Sequence, residues 1–289
     1  MIRPVVAAFA VVLLAAGCTG GAQPPSPSPV PTPEPTSPGG RASLVIRVDN
    51  EGGLIAPAAT LARLPIVAVF DDGRILQPAP VTLIYPGRLV PPLNVRTVGA
   101  SGVAAIRSAI AKAGLDEAST ATPGPGLPDA GTIVFTVVVD GREIVNRFAG
   151  PLGGESLPPG QGGTDARRAA AVDLLGRLTD SLVTWGAPDV GEAPYDPPGY
   201  RVFVVPGPPP DRSLPQSPLA WPLATPLTAF GEAVEPDRGI AGLRVGDVVG
   251  SEADAVGPLF ARANALTPFT SAGRTYTLHV RPLLPDEVP

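Results

Sequence analysis

One cysteine, one histidine and one lysine (Lys112) stand in 289 residues. A lone thiol excludes a disulfide framework, and beside a lone imidazole it argues against a zinc site or a Cys–His couple built within the fold. Aromatic residues are only 5% of the chain, too few for a platform on which sugars stack. Charged residues are 16% and the net charge is −5, so attraction to a phosphate backbone gives no basis for nucleic-acid binding. Against these absences stand 44% hydrophobic residues, enough for a sizeable core, and 34 glycines with 40 prolines, which demand long loops and linkers. The length allows one large or two small domains.

The most specific signal is an address. Arg3 precedes an apolar run from Val5 to Ala16 that ends at Gly17-Cys18. That run is shorter than the ~17–25 residues a membrane-spanning helix needs, so residues 1–17 read as a signal peptide. Leu14-Ala15-Ala16-Gly17-Cys18 resembles a bacterial lipobox, in which the cysteine is acylated and becomes the first residue. The pattern usually has Leu three places before the cysteine; here Ala15 holds that place, and Leu14 lies one step earlier. Lipidation is therefore expected at Cys18, with the membrane as partner through that lipid and an extracytoplasmic location. Residues 18–41, rich in Pro, Ser and Thr, follow as a tether. Proline fixes φ and removes a donor, so the segment favours an extended conformation reaching on the order of 70 Å.

In the body, alternation and turn residues predict strands at Ser43–Asp49, Pro65–Phe70 and, after the turn Asp71-Asp72-Gly73-Arg74, a short third. Val81–Tyr85 reads as a further strand. Val103, Ile106 and Ile110 give one face of a helix from Ser101 to Ala113, capped by Gly114. Thr132–Val139 and Arg142–Phe148 form a hairpin around Asp140-Gly141, with the first arm interior to its sheet. Ala171, Leu175, Leu178, Leu182 and Trp185 make an apolar stripe along a helix over residues 165–185, with Thr164 as its N-cap. Later come a strand at Tyr200–Val205, a proline-broken stretch to Pro226 with Trp221-Pro222 as a packing anchor, and a helix capped by Ser251 and interrupted at Gly257-Pro258. The last strand is Thr275–Arg281. The fold class expected is α+β: antiparallel sheets built from hairpins, with about three helices on one face. Residues 42–190 form one α+β domain, and residues 197–289 a second or a continuation of the same sheet.

No set of residues assembles into chemistry. His279 alternates with Tyr276, Leu278 and Val280 so as to fall on a polar, solvated strand face, without a visible orienting partner. Ser101 lacks a nucleophile-elbow context and Lys112 has no partner serine or glycine loop. Gly160-Gln161-Gly162-Gly163 precedes a helix, yet no strand leads into it. Asp49-Asn50-Glu51 and Asp71-Asp72 lack the alternating spacing of a calcium loop and suit turns. Neither cofactor nor metal is expected, and no catalytic residue is assigned. An enzyme whose carboxylates converge from distant loops is the remaining catalytic alternative.

Two resemblances attach to particular residues. From Val45 to Trp185, the succession of strand, Gly52-Gly53, Asp72-Gly73-Arg74, a helix ending Ala113-Gly114-Leu115, then Asp129 and the hairpin at Asp140-Gly141-Arg142 is similar to the emfourin group, small bacterial proteins some of which inhibit thermolysin-like metalloproteases. Emfourins are shorter, residues 81–98 have no counterpart in them, and no inhibitory residue carries over. Trp221-Pro222 and Arg281-Pro282-Leu283-Leu284-Pro285-Asp286-Glu287 resemble features of uncharacterised lipoproteins of GC-rich bacteria. The expected role is a lipid-anchored, non-enzymatic envelope protein binding an unknown envelope protein or ligand. A cell-surface inhibitor of thermolysin-like metalloproteases is the alternative.

Overall fold

Strand-forming residues in the first half of the body gather into one antiparallel sheet. A computed structural model of the chain describes residues 40–52, 57–118, 131–149, 166–186, 191–211, 213–235 and 239–289, all within one unit, Thr36–Pro289. The strands are β1 (Leu44–Glu51), β2 (Val67–Phe70), β3 (Arg74–Pro78), β4 (Leu93–Thr97), β5 (Thr132–Val139), β6 (Arg142–Ala149) and β7 (Ala193–Pro194), in the order β6-β5-β1-β2-β3-β4-β7. The expected β5–β6 hairpin forms, and Asp140 (φ 49°) and Gly141 (φ 75°) supply the two positive φ values of a type I′ turn. Ile133, Phe135 and Val137 join the core, and Val134 is buried on the other side, as an interior strand requires.

Helices α1 (Pro57–Thr60), α2 (Ala100–Lys112) and α3 (Ala166–Thr179) accompany this sheet. α2 buries Val103, Ile106 and Ile110 as its spacing predicts, and Gly114 at φ 66° ends it while Leu115 N–H reaches back to the Ile110 carbonyl at 3.1 Å. α3 stops six residues before Trp185, earlier than its stripe suggests. The Leu178 carbonyl accepts from Arg96 (2.6 Å) and Gln77 (3.0 Å), and Asp180 turns the chain by accepting from Leu182 N–H at 2.9 Å. Leu174 takes the buried place given to Leu175, Leu182 is exposed, and Trp185 returns to the core from outside the helix, with Arg177 stacked at 4.4 Å from its ring. The Thr164 cap and the glycine loop before it lie outside the described residues.

A second sheet contains β8 (Gly199–Pro206), β9 (Leu219–Ala220), β10 (Glu232–Ala233), β11 (Arg244–Val249), β12 (Pro268–Ser271) and β13 (Arg274–Pro282), ordered β10-β11-β8-β13-β12-β9, with β12 and β9 parallel. α4 (Ser251–Arg262) packs on it through Val256, Leu259 and Phe260. α4 contains Pro258 without breaking, and Gly250 rather than Ser251 precedes it without a side-chain cap. Trp221 is buried against Phe230 and Phe260, as an anchor should be, and its indole N–H donates to the Thr225 carbonyl at 2.9 Å. The architecture is therefore α+β and mostly sheet. Its helices divide between two sheets instead of sharing one face: α2 and α3 contribute to the first core and α4 to the second.

Residues after β13 join the sheets. Leu284 packs with Leu44, Phe70, Leu76, Leu93 and Tyr195 on the face of the first sheet that α2 and α3 do not cover. Ala42 N–H donates to the Pro285 carbonyl (3.1 Å), and Leu283 N–H to that of Gly199 (3.0 Å). Glu287 accepts from Arg281 at 2.6 Å through each of its oxygens, from Arg201 at 3.0 Å and from Leu284 N–H at 3.0 Å. Asp286 pairs with Arg47 of β1 at 3.6 Å.

Candidate binding surface

The two acidic clusters serve structure. Asp71 accepts from Ser43 N–H at 2.9 Å, and Asp72 takes the backbone N–H and guanidinium of Arg74. Asp49 pairs with Arg47, and Glu51 with Arg147. Ser101 and Lys112 are exposed on α2. Arg167, next to the glycine loop, donates to the Glu117 carbonyl (2.7 Å) and to Asn146 (2.7 Å). His279 does alternate with the buried Tyr276, Leu278 and Val280, but its own side of β13 is half-buried rather than open to solvent. Thr277 is buried, and burial lowers the His279 pKa. Among the described residues, no group of three or more His, Cys, Asp or Glu side chains could hold a metal. Cys18 lies outside them.

What the structure adds is an apolar platform. Val81–Tyr85 is not a strand. Pro78 and Pro80 stand before it and Pro86 behind it, so the ladder lacks donors there and the segment leaves the sheet after β3. It projects with Val81 58%, Leu83 101%, Ile84 66% and Tyr85 62% exposed. Four such side chains within five successive residues concentrate exposed apolar surface in one segment, and concentrated apolar surface is what marks a contact site. The prolines on both sides were a usable signal, because they set a β-branched run outside any ladder.

The base of the projection is firmly held. Ala79 N–H donates to the Pro92 carbonyl at 3.0 Å and closes the segment. Its returning arm is stitched to the end of α4: Ala265 N–H to Gly87 (2.9 Å), Leu89 N–H to Ala263 (3.3 Å), with a bridge between Arg88 and Asn264. Leu89 then enters the core of the second sheet. The Asn264 side chain donates to Gln216 at 2.8 Å, so one residue carries both this segment and the proline-rich loop after β8. That loop contributes Leu214, 42% exposed, beside an open cavity of about 360 Å³ walled by Pro208, Pro209, Leu214, Pro215, Leu266 and Pro268.

A polar clasp joins the two loops. Tyr85 O–H donates to Asp211 at 2.5 Å, while Ser213 donates its hydroxyl (2.6 Å) and N–H (2.8 Å) to the other oxygen. The Ser213 hydroxyl and the Tyr85 phenol together hold the Asp211 carboxyl down to about 2, so it is ionised at any physiological pH. The same bond to Asp211 raises the Tyr85 pKa and keeps the phenol a donor. Two larger clefts of about 640 Å³ open beside the second sheet, and most of their arginines are engaged: Arg244 with the Phe230 and Gly231 carbonyls, Arg63 with the Asn50 carbonyl, Arg201 with Asp247 and Glu287, Arg281 with Glu287.

No family model, no curated protein and no solved structure matches this chain.

Proposed function

We propose that the protein is a lipid-anchored, extracytoplasmic binding module. In this reading Cys18 is acylated, residues 18–41 are its tether, and the body from residue 42 engages an envelope component through the apolar platform. The observation that carries the binding role is Leu83 at full exposure among Val81, Ile84 and Tyr85. Each large apolar side chain left in water forgoes about 1.5–3 kcal/mol. Leu182 is also exposed, but it stands singly; four exposed apolar side chains within five residues are read as a surface that a partner covers. Its charge-free composition from Ala79 to Gly87 suits an apolar partner.

The test is metabolic labelling with a fatty acid, followed by mass analysis of the N-terminal peptide and fractionation of the envelope. An acyl mass on Cys18 and membrane retention lost in Cys18→Ser are expected. A free Cys18 thiol in the mature protein would overturn the anchored reading.

A further inference from the structure

We infer that the partner of the platform is the lipid surface of the membrane itself: Val81, Leu83 and Ile84 enter the acyl boundary, while Tyr85, Asp211 and Arg88 remain at headgroup level. The inference rests on the lipid-anchored reading for the tether's contribution, and its own content is the second contact between body and bilayer. Three observations favour lipid over a protein partner.

The first is shape. Leu83 is fully exposed, so its side chain packs against none of the described residues. A convex aliphatic tip needs no complementary pocket in a fluid acyl phase, whereas protein interfaces centre on well-packed aromatic and arginine anchors.

The second is the order of polarity along the segment. Nine residues, Ala79 to Gly87, carry no charge, and the exposed Arg88 follows at once, where the arm returns to the body. Arg262, also exposed, precedes Ala263, whose carbonyl accepts from Leu89 N–H. Two cations at the base of an apolar tip match phosphate headgroups below an acyl layer. Tyr85 closes the apolar run ahead of Arg88 with its ring exposed and its hydroxyl tied to Asp211, an amphipathic side chain of the kind that favours headgroup level.

The third is the length of chain outside the described structure. Residues 18–39 span on the order of 70 Å when extended and end, in the proposed function, at the lipid on Cys18. Such a linker holds the body near the bilayer at an effective concentration of about millimolar. A loop contact too weak to recruit a free protein then suffices to lay the tethered body against the surface.

The experiment uses the acylated full chain, reconstituted into vesicles of phosphatidylglycerol and phosphatidylcholine with brominated acyl chains. Leu83→Trp places a reporter at the tip. Trp185 and Trp221, 5% and 8% exposed, give the parent protein a constant background. The expected result is blue-shifted emission, quenched by the brominated chains, in Leu83→Trp but not in the parent, and loss of that quenching when Val81→Asp and Ile84→Asp are added. In the unacylated Cys18→Ser full chain, vesicle co-sedimentation at high lipid should fall roughly tenfold for each apolar side chain replaced. Because the substituted positions are exposed, the thermal midpoint should hold, which separates lost contact from lost fold.

A reporter that keeps solvent-like, unquenched emission in both forms overturns the inference even if Cys18 proves acylated. A free Cys18 thiol overturns the anchor alone, since the unacylated arm still reads the loop. Self-association abolished by Ile84→Asp, with the reporter silent toward lipid, would assign the platform to a second copy of the chain and overturn the lipid partner.

Discussion

Glu287 shows how much one side chain can hold. Burial alone would raise its carboxyl, but the hydrogen bonds and charge of Arg281, the Leu284 N–H and the charge of Arg201 outweigh that and leave it below 4.5. A depressed carboxyl adds stability above its unfolded pKa, and that stability disappears as the pH falls through the folded value. Glu287→Gln should therefore be less stable than the parent at neutral pH, and its melting temperature should converge on that of the parent as the pH falls below 4.5. His279 acts in the same direction from a different cause. Burial lowers its pKa below 6.5, so the unfolded chain binds the proton first and stability declines as pH drops below 6.5. Thermal melts of His279→Gln should lack that decline. Asp49 and Asp286 work in the opposite sense: burial holds them above 3.8, and their protonation favours the folded state. The alternation around His279 was legible in the sequence, but the cover over its face was not. Period-2 patterning says which residues share a side and nothing about which segment closes over it.

At the level of elements, the sequence is legible wherever local chemistry decides the conformation. Asp72-Gly73 and Asp140-Gly141 both read as turns, and both glycines have positive φ. Their surroundings differ. A Cβ on Gly73 would lie 1.9 Å from the Val98 carbonyl oxygen, whereas one on Gly141 meets nothing within 4 Å. Gly141→Ala should cost about 1 kcal/mol of conformational strain. Gly73→Ala should cost at least about 2 kcal/mol more, since backbone must move, and chemical denaturation of the two variants tests the difference. Pro258 offers the reverse case. It is exposed inside α4, where it removes one helical hydrogen bond, so Pro258→Ala should stabilise by about 1–2 kcal/mol. The early end of α3 was not legible, because it depends on Arg96 and Gln77 reaching the Leu178 carbonyl from 82 and 101 residues away in the chain. β11 and β12 are not legible for a related reason: Gly246-Asp247 interrupts one and Pro268 opens the other, so neither has a clear period, and pairing with β8 and β13 makes them strands.

At the scale of the whole molecule, the two cores are joined by the segment Leu283–Glu287. Each core holds one tryptophan, Trp185 in the first and Trp221 in the second. Single-tryptophan variants should therefore report coincident denaturant transitions in the parent background. Leu284→Ala with Glu287→Gln should separate the two curves, because the alanine alone removes about 2–5 kcal/mol from the junction. Transitions that stayed coincident would mean that the sheets are coupled elsewhere. The α+β class was legible from element order, whereas the division into two sheets, with helices on each, required knowing that Leu284 packs beside Phe70 and Leu76. The platform was the least legible feature, since an apolar β-branched run looks alike whether it pairs or projects. It is also the most separable. Asn264, Ala79 and Gly87 fix the stem, while Val81, Leu83 and Ile84 stay clear of the cores. Residues 81–84 are thus an interchangeable head on a fixed handle, and grafting an unrelated peptide there would change what the molecule touches without altering how it is made.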